Sequence, residues 1–381
     1  MGFDGVHRAG PALTDVLPSA LAVLGMPDMP DRLGLHQTLD GVRSVAVLLV
    51  DGLGYHLLQA ARPVAPMLAD IADGRLATLR ELSTGFPSTT PTSLVSLGTG
   101  VAAGAHGVLG FTLNVPGTTR VLNHIEWREE PDPYTWQPVP TLFARATAAG
   151  MRATVVSRPE YAGSGLTIAA YGGSVYVGAA GVDPLATQML RELHDHDGLV
   201  LGYHPKLDAA AHKFGIDSPQ WMAAAGEVDH LVGRLIGGLR PGTALLVTAD
   251  HGGIDVPADG RIDLDTDPQL AAGVRVVAGE PRVRYLHTEP GAEADVLASW
   301  RSVLGDAAQV VSRDEAVAAD WFGPVPSEHL ARIGDVVVVC RDRHVVLASA
   351  HEPETVGKLV GFHGGTTPAE MAIPLIVHSG L

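Results

Sequence analysis

Cysteine, lysine and aromatic residues are all scarce in this 381-residue chain. Cys340 is the only cysteine, so an intramolecular disulfide is impossible and a zinc–cysteine cluster is excluded. Lysine occurs only at Lys206, Lys213 and Lys358, and 42 acidic residues against 26 basic ones give a formal net charge of -16. A balance this acidic argues against sequence-independent binding to a nucleic-acid polymer, which needs a basic face. A small anionic substrate stays compatible if metals or local donors offset the field. No apolar stretch reaches the ~20 residues of a membrane span. The first residues show no cationic start followed by an apolar core, and Val6 stands where a Met1-Gly2 myristoylation pattern needs Ser or Thr. These absences predict a cytoplasmic protein with no membrane and no nucleic-acid polymer as partner.

Against those absences stands a hydrophobic fraction of 46%, enough for a substantial core and inconsistent with disorder. Ser44 to Val50, Ala153 to Ser157 and Gly198 to His204 read as buried strands, and Leu245 begins another that runs into Thr248-Ala249-Asp250-His251. Helical patterns cover Tyr55–Ala61, Thr92–Gly98, Thr141–Ala149, Pro184–His194 and Pro219–Leu239. Strands alternating with helices predict an α/β fold, a doubly wound and mostly parallel sheet flanked by helices. Residues 254–360 differ, with short β-rich runs around one helical piece, and predict a small inserted α+β cap. The polar, proline-punctuated stretch from Gly110 to Tyr134 predicts a loop or hairpin at the site mouth.

Chemistry concentrates at the strand ends. Asp51 terminates the first strand, and Asp250-His251 terminates a later one, at the edge where open α/β sheets bind ligands. Asp208 and His212 are four apart in KLDAAAHKFG, so on a helix they share one face and can grip one ion. His363 lies between glycines in GFHGGTT. Ser88-Thr89-Thr90-Pro91 opens a helix, whose free N–H groups and dipole favour an anion. Asp208, His212 and His363 make a three-ligand site with room for water or substrate. Asp51, Asp250, His251 and a threonine oxygen make a second. Two metals ~3.5–4 Å apart can stabilise the attacking and leaving oxygens of a displacement at phosphorus. Taken singly, each motif has a plainer reading as a turn or a solvated helix face; their joint occurrence favours two divalent metals, Zn or Mn. Tyr203 and His204, close to Asp208, are candidates to face the substrate. The ligand-rich His194–Asp197 run precedes a strand and reads as a polar turn, and His106 reads as a support for the loop after the threonine helix.

The order of these motifs resembles the type I phosphodiesterase/nucleotide pyrophosphatase family of the alkaline phosphatase superfamily. The matching pieces are VDG at Val50–Gly52, FPSTTPTSLVSLGTG at Phe86–Gly100, HGV at His106–Val108, DAAAH at Asp208–His212, TADHG at Thr248–Gly252 and GFHG at Gly361–Gly364. The resemblance implies one catalytic domain over residues 1–381, with Asp208, His212 and His363 on one metal and Asp51, Asp250, His251 and the nucleophile on the other. It places Thr90 on the nucleophile, with Thr89 as runner-up. The family's Pro-Asn pair after the nucleophile is absent, with Thr92-Ser93 in its place, and Leu109-Gly110-Phe111 stands where many members carry a phosphoryl-holding asparagine. Asn114 is the candidate substitute.

The implied function is hydrolysis of a nucleotide-type phosphodiester through a covalent threonine intermediate. Cyclic di-AMP is the favoured substrate, because the pattern is similar to actinobacterial cyclic di-AMP phosphodiesterases. A nucleotide pyrophosphatase, a phosphomonoesterase or phosphonate hydrolase, and an inactive metal-stabilised interaction protein stay as alternatives. A sulfatase is excluded, since Cys340 is followed by Arg341-Asp342-Arg343 and not by the Cys-x-Pro-x-Arg signature. The expected partners are a small nucleotide or other phosphodiester and, in a homodimer, a second copy of the chain.

Overall fold

The computed structural model describes residues 10–380; the Met1-Gly2 and Val6 pattern lies outside the described residues. Its centre is a seven-stranded sheet in the order Thr78–Ser83, Ala372–Ser379, Thr243–Thr248, Ser44–Val50, Gly198–His204, Arg152–Ser157, Val175–Gly178. The last five run parallel to one another. Ala372–Ser379 runs antiparallel to both of its neighbours. The sheet is thus mixed but mostly parallel, as the alternating pattern predicts.

Ser44–Val50, Gly198–His204 and Thr243–Thr248 are buried at every position, which is why they read as unbroken apolar runs. Two groups of helices cover the sheet. One gathers Val16–Val23, Thr90–Thr99, Leu142–Ala148 and Gly165–Tyr171; the other gathers Leu57–Ala61, Pro66–Ala72, Val182–Asp195, Lys206–Phe214 and Pro219–Gly238. Ser164 and Ser218 cap their helices by accepting an N–H in the first turn. Among the described residues no helix is long and apolar enough to cross a membrane.

A second, six-stranded antiparallel sheet lies in the order Ala308–Ser312, Val336–Cys340, Val283–Thr288, Val274–Glu280, Thr112–Asn114, Val121–Asn123. Four strands come from the 254–360 region, and two from the hairpin inside Gly110–Tyr134. Side chains alternate across it. Val337 and Val339 join the main core, while Val336, Val338 and Cys340 pack with Trp300 and Leu304 of the helix Glu293–Leu304. The run of four valines is therefore apolar because both of its faces are covered.

Candidate active site

The polar residues at the ends of the parallel strands meet at one edge of the central sheet. Asp51 follows Ser44–Val50, and Asp250-His251 follow Thr243–Thr248. Asp208 and His212 stand one turn apart on Lys206–Phe214, as the i, i+4 spacing predicts. The turn after Asp51 depends on glycine. Gly52 has φ +73°, and a Cβ there would lie 2.8 Å from the Asp208 Cβ.

His363 arrives by a different route. Gly361–Phe362 pairs with Ile254–Asp255 in a two-stranded ribbon, and the loop beyond it is fastened to Ser88. Ser88 Oγ donates to the Gly365 carbonyl at 2.7 Å and accepts from the Gly364 N–H at 3.2 Å. The loop is also held by a buried ion pair. Arg282 Nε and Nη2 donate to the two oxygens of Glu370, each at 2.8 Å, and Glu370 Oε1 accepts from the Gly365 N–H at 2.9 Å.

The three histidines share one hydrogen-bonding arrangement. Nδ1 of His212 lies 2.8 Å from the Gly361 carbonyl, Nδ1 of His251 lies 2.7 Å from the Gly252 carbonyl, and Nδ1 of His363 lies 3.0 Å from the Ser88 carbonyl. A carbonyl can only accept, so each Nδ1 carries the hydrogen and each neutral ring offers a bare Nε2. Those Nε2 atoms converge. His212 and His363 face each other at 3.2 Å, and His212 lies 3.1 Å from Asp208 Oδ2. His251 Nε2 lies 3.4 Å from Asp51 Oδ1 and 3.5 Å from Asp250 Oδ2. Asp51 Oδ1 and Asp250 Oδ2 are buried with no hydrogen-bond partner. Buried acceptors facing acceptors are costly unless a cation sits among them. The donor set therefore fits divalent metal, with each histidine oriented from behind by a carbonyl.

Two groups have ligand atoms close enough for one ion: Asp208, His212 and His363, and Asp51, Asp208 and His251. Asp208 belongs to both, with Asp250 beside the second. The electrostatics carry the same message. Burial, reinforced by Asp250 and Asp208, holds the Asp51 carboxyl well above the usual range, and burial also raises Asp250. Burial pushes His212 down, but Asp208 beside it outweighs this and carries it up to about 9.

Thr90 is the first residue of its helix, and its Oγ1 lies 3.1 Å from His251 Nε2. It lines the cleft over the acidic cluster. Thr89, the N-cap, is fully buried beside Glu280, whose carboxyl burial pushes up to about 8. His106 supports this segment from behind: Nδ1 accepts from the Val108 N–H at 3.1 Å, and Nε2 lies 2.9 Å from Ser96 Oγ.

Tyr203 lines the same cleft and donates its hydroxyl to Asp51 Oδ2. His204 opens onto a neighbouring hollow with Lys206 and Glu227. Asn114 is not brought to the cleft; it is buried in its own hairpin, where its amide donates to the carbonyls of Thr118 and Arg120. His194 Nε2 lies 3.1 Å from the Gly238 carbonyl, apart from the cluster.

The cleft itself is a cavity of about 460 Å³. Four of the chain's seven tyrosines line it: Tyr161, Tyr171, Tyr176 and Tyr203. In a chain so poor in aromatics, three tyrosines between positions 161 and 176 were a signal that the motif-based reading passed over. Phe111 and Ile125, from the segment predicted at the site mouth, close one side.

No curated protein matches the chain by sequence. Murine ectonucleotide pyrophosphatase/phosphodiesterase 5 shares the fold with a TM-score of 0.71 at 18% identity, over 88% of each chain. An inactive variant of that enzyme, in complex with AMP, aligns over the same shares at 18% identity with a TM-score of 0.70. Phosphonoacetate hydrolase from Sinorhizobium meliloti 1021, in complex with phosphonoacetate, aligns over 89% of this chain and 90% of that one, at 20% identity and a TM-score of 0.65. The model of one family, type I phosphodiesterase/nucleotide pyrophosphatase, matches residues 45–366. The chain belongs to that family, hydrolytic enzymes of the alkaline phosphatase superfamily.

Proposed function

We propose that the chain hydrolyses a nucleotide-type phosphodiester, with cyclic di-AMP as favoured substrate, through a covalent intermediate on Thr90. The observation that carries this reading is the convergence of three bare Nε2 atoms and two unpartnered carboxylate oxygens beside the Thr90 hydroxyl. In this reading Asp208, His212 and His363 hold one divalent ion, Zn or Mn, and Asp51, Asp250 and His251 hold the other together with Thr90. The pair of ions would lower the pKa of the threonine hydroxyl and stabilise the leaving oxygen.

The chain's own groups do the rest. Thr90 gives its hydroxyl proton to solvent, and its Oγ1 forms a bond to phosphorus while the bond from phosphorus to the leaving oxygen breaks and that oxygen takes a proton from water. A water molecule then attacks phosphorus, the Oγ1–phosphorus bond breaks, and Thr90 recovers its proton. Tyr203 holds Asp51 in place through its hydroxyl. The helix that begins at Thr90 aims its N-terminal end at the phosphoryl oxygens. Tyrosines on the cleft walls suit a base, which stacks on aromatic faces. A phosphonate as small as phosphonoacetate would leave most of an aromatic cavity of about 460 Å³ unfilled. Residues 254–360 act as a cap on this single catalytic unit, and the lone, buried Cys340 suits a reducing cytoplasm.

The test is a panel of cyclic and linear nucleotides, a bis-aryl phosphate and its monoester, assayed with Zn or Mn and resolved by chromatography. Diesters should turn over much faster than the monoester, with cyclic di-AMP foremost. Faster turnover of the monoester would replace this reading with a phosphatase, and intact cyclic di-AMP beside cleaved linear diesters would remove the specific substrate.

A further inference from the structure

A second cavity, of about 540 Å³, adjoins the tyrosine-lined cleft. The two share Phe111, Ile125, His212, Leu359 and His363, so two of the candidate metal ligands, His212 and His363, lie at the waist of a two-lobed cleft. An in-line displacement sends the leaving group out opposite the nucleophile. The two halves of a diester must therefore extend in different directions from phosphorus. Each lobe has the volume of an ordinary small-molecule site.

The chemistry of the second lobe differs from that of the first. Arg284 in its wall is already neutralised, since Nη1 and Nη2 donate to Glu352 at 2.6 and 2.8 Å. His351 lies 3.4 Å from Asp265. Arg275, exposed on Val274–Glu280, has no carboxylate partner among the described residues. Glu126, exposed just after the hairpin, offers a free acceptor to the same space. A cation together with an acceptor matches a nucleotide, which carries an anionic phosphate and N–H donors on its base. We propose that the second lobe is the subsite for the leaving half of a dinucleotide, with Arg275 as the specificity-determining residue that meets that half's own phosphate. The assignment rests on the phosphodiesterase reading above. Cleavage that leaves a 5′-phosphate on the half in the tyrosine-lined lobe makes the other half, with its separate 5′-phosphate, the leaving group.

Three substrates test this: a linear diadenylate with a 5′-phosphate, the same dinucleotide without it, and bis-p-nitrophenyl phosphate, each read as kcat/KM with Mn or Zn. The wild type should prefer the phosphorylated dinucleotide to the unphosphorylated one by tenfold or more. Arg275→Ala should bring that ratio to within about threefold, and Arg275→Lys should restore part of it. Thr119→Trp fills the lobe from the exposed hairpin wall and should lower both dinucleotides relative to the bis-aryl ester. A wild type without the preference, or a ratio indifferent to Arg275, overturns the subsite while leaving the phosphodiesterase reading intact. Failure of the wild type to cleave any of the three overturns the underlying reading, and the subsite with it.

Discussion

Replacing Arg282 by methionine should uncouple the His363 loop from the second sheet. Arg282 lies in the turn between Val274–Glu280 and Val283–Thr288, and Glu370 lies in the short helix Pro368–Met371 that follows GFHGG. Both side chains are fully excluded from water. Burial pushes the Glu370 carboxyl up, but the Arg282 guanidinium and the hydrogen bonds from Thr367 and Gly365 outweigh it and leave it below the usual carboxylate range. A group with a lowered folded pKa stabilises the protein above its unfolded value of about 4.3 and loses that contribution as pH falls through the folded value. At neutral pH, Arg282→Met leaves a buried carboxylate without its counter-charge. Breaking a buried pair in this way costs about 3–5 kcal/mol. At about 2.1 cal/mol/K per residue, unfolding 381 residues carries an entropy near 0.8 kcal/mol/K, so the melting temperature should fall by about 4–6 °C.

Calorimetry of four proteins checks the reasoning: wild type, Arg282→Met, Glu370→Gln and the double variant. Glutamine at position 370 keeps one acceptor oxygen, which can still accept from the Gly365 N–H, and carries no charge, so the double variant strands none. It should therefore melt no lower than Arg282→Met alone, with a coupling of at least about 1 kcal/mol in the cycle. A metal titration should show the single variant about 10- to 100-fold weaker, because the loop that carries His363 has lost its anchor. Strict additivity of the two melting shifts, or a drop below 1 °C, would refute the account of the pair.

Thr90→Ala should lower turnover by at least about a thousandfold with metal content near normal, as loss of a nucleophile does elsewhere. Thr89→Ala should keep most of the activity, and the reverse outcome would move the nucleophile to Thr89. Chelation should abolish activity and lower the melting temperature, since the buried carboxylates lose the charge that offsets them; adding Zn or Mn to 100 times its Kd should return about 2.7 kcal/mol, or roughly 3 °C. A chelated protein that melts unchanged would count against metal among these residues. Burial lowers His106 to about 3 and His124 and His287 to about 4. Below their ordinary value of about 6.5 the unfolded chain binds protons that the folded chain refuses, so stability should fall with pH between 6.5 and 4, by up to about 1.4 kcal/mol per unit for each histidine. His106→Gln should flatten part of that slope in melting curves, and a slope untouched by the substitution would count against a neutral buried His106.

Parallel strands buried on both faces are uniformly apolar, so Asp51 and Asp250-His251 stood out at the ends of theirs, and Gly198–His204 was legible to the residue. The helix spacing of Asp208 and His212 needed no tertiary knowledge. The strands Thr78–Ser83 and Val175–Gly178 at the two margins of the sheet were not legible, because exposed edges mix polar and apolar residues. Nor does local sequence reveal that Ala372–Ser379 inserts antiparallel between two strands, since pairing across more than 120 positions leaves no short-range trace. Arg282 and Glu370, 88 residues apart, have no local signature either. Asn114 lies within reach of the site by count along the chain, yet a side-chain amide beside a tight turn also satisfies that turn's carbonyls, and there the Thr118 and Arg120 carbonyls hold it.

These differences bear on how the site is assembled. Five of the six aspartate and histidine ligands proposed here ride on the central sheet and on the helix after one of its strands, where parallel connectivity delivers strand ends to one edge automatically. His363 has no such support. It is placed by a two-residue ribbon, by Ser88 next to the candidate nucleophile segment, and by an ion pair rooted in the second sheet. The same sheet carries Arg275 into the second lobe. One element thus sets both His363 and the wall facing the leaving half, so a substitution that shifts Val274–Glu280 should change metal affinity and dinucleotide preference together, whereas one at Tyr161 or Tyr176, which touch none of the candidate ligands, should change preference alone.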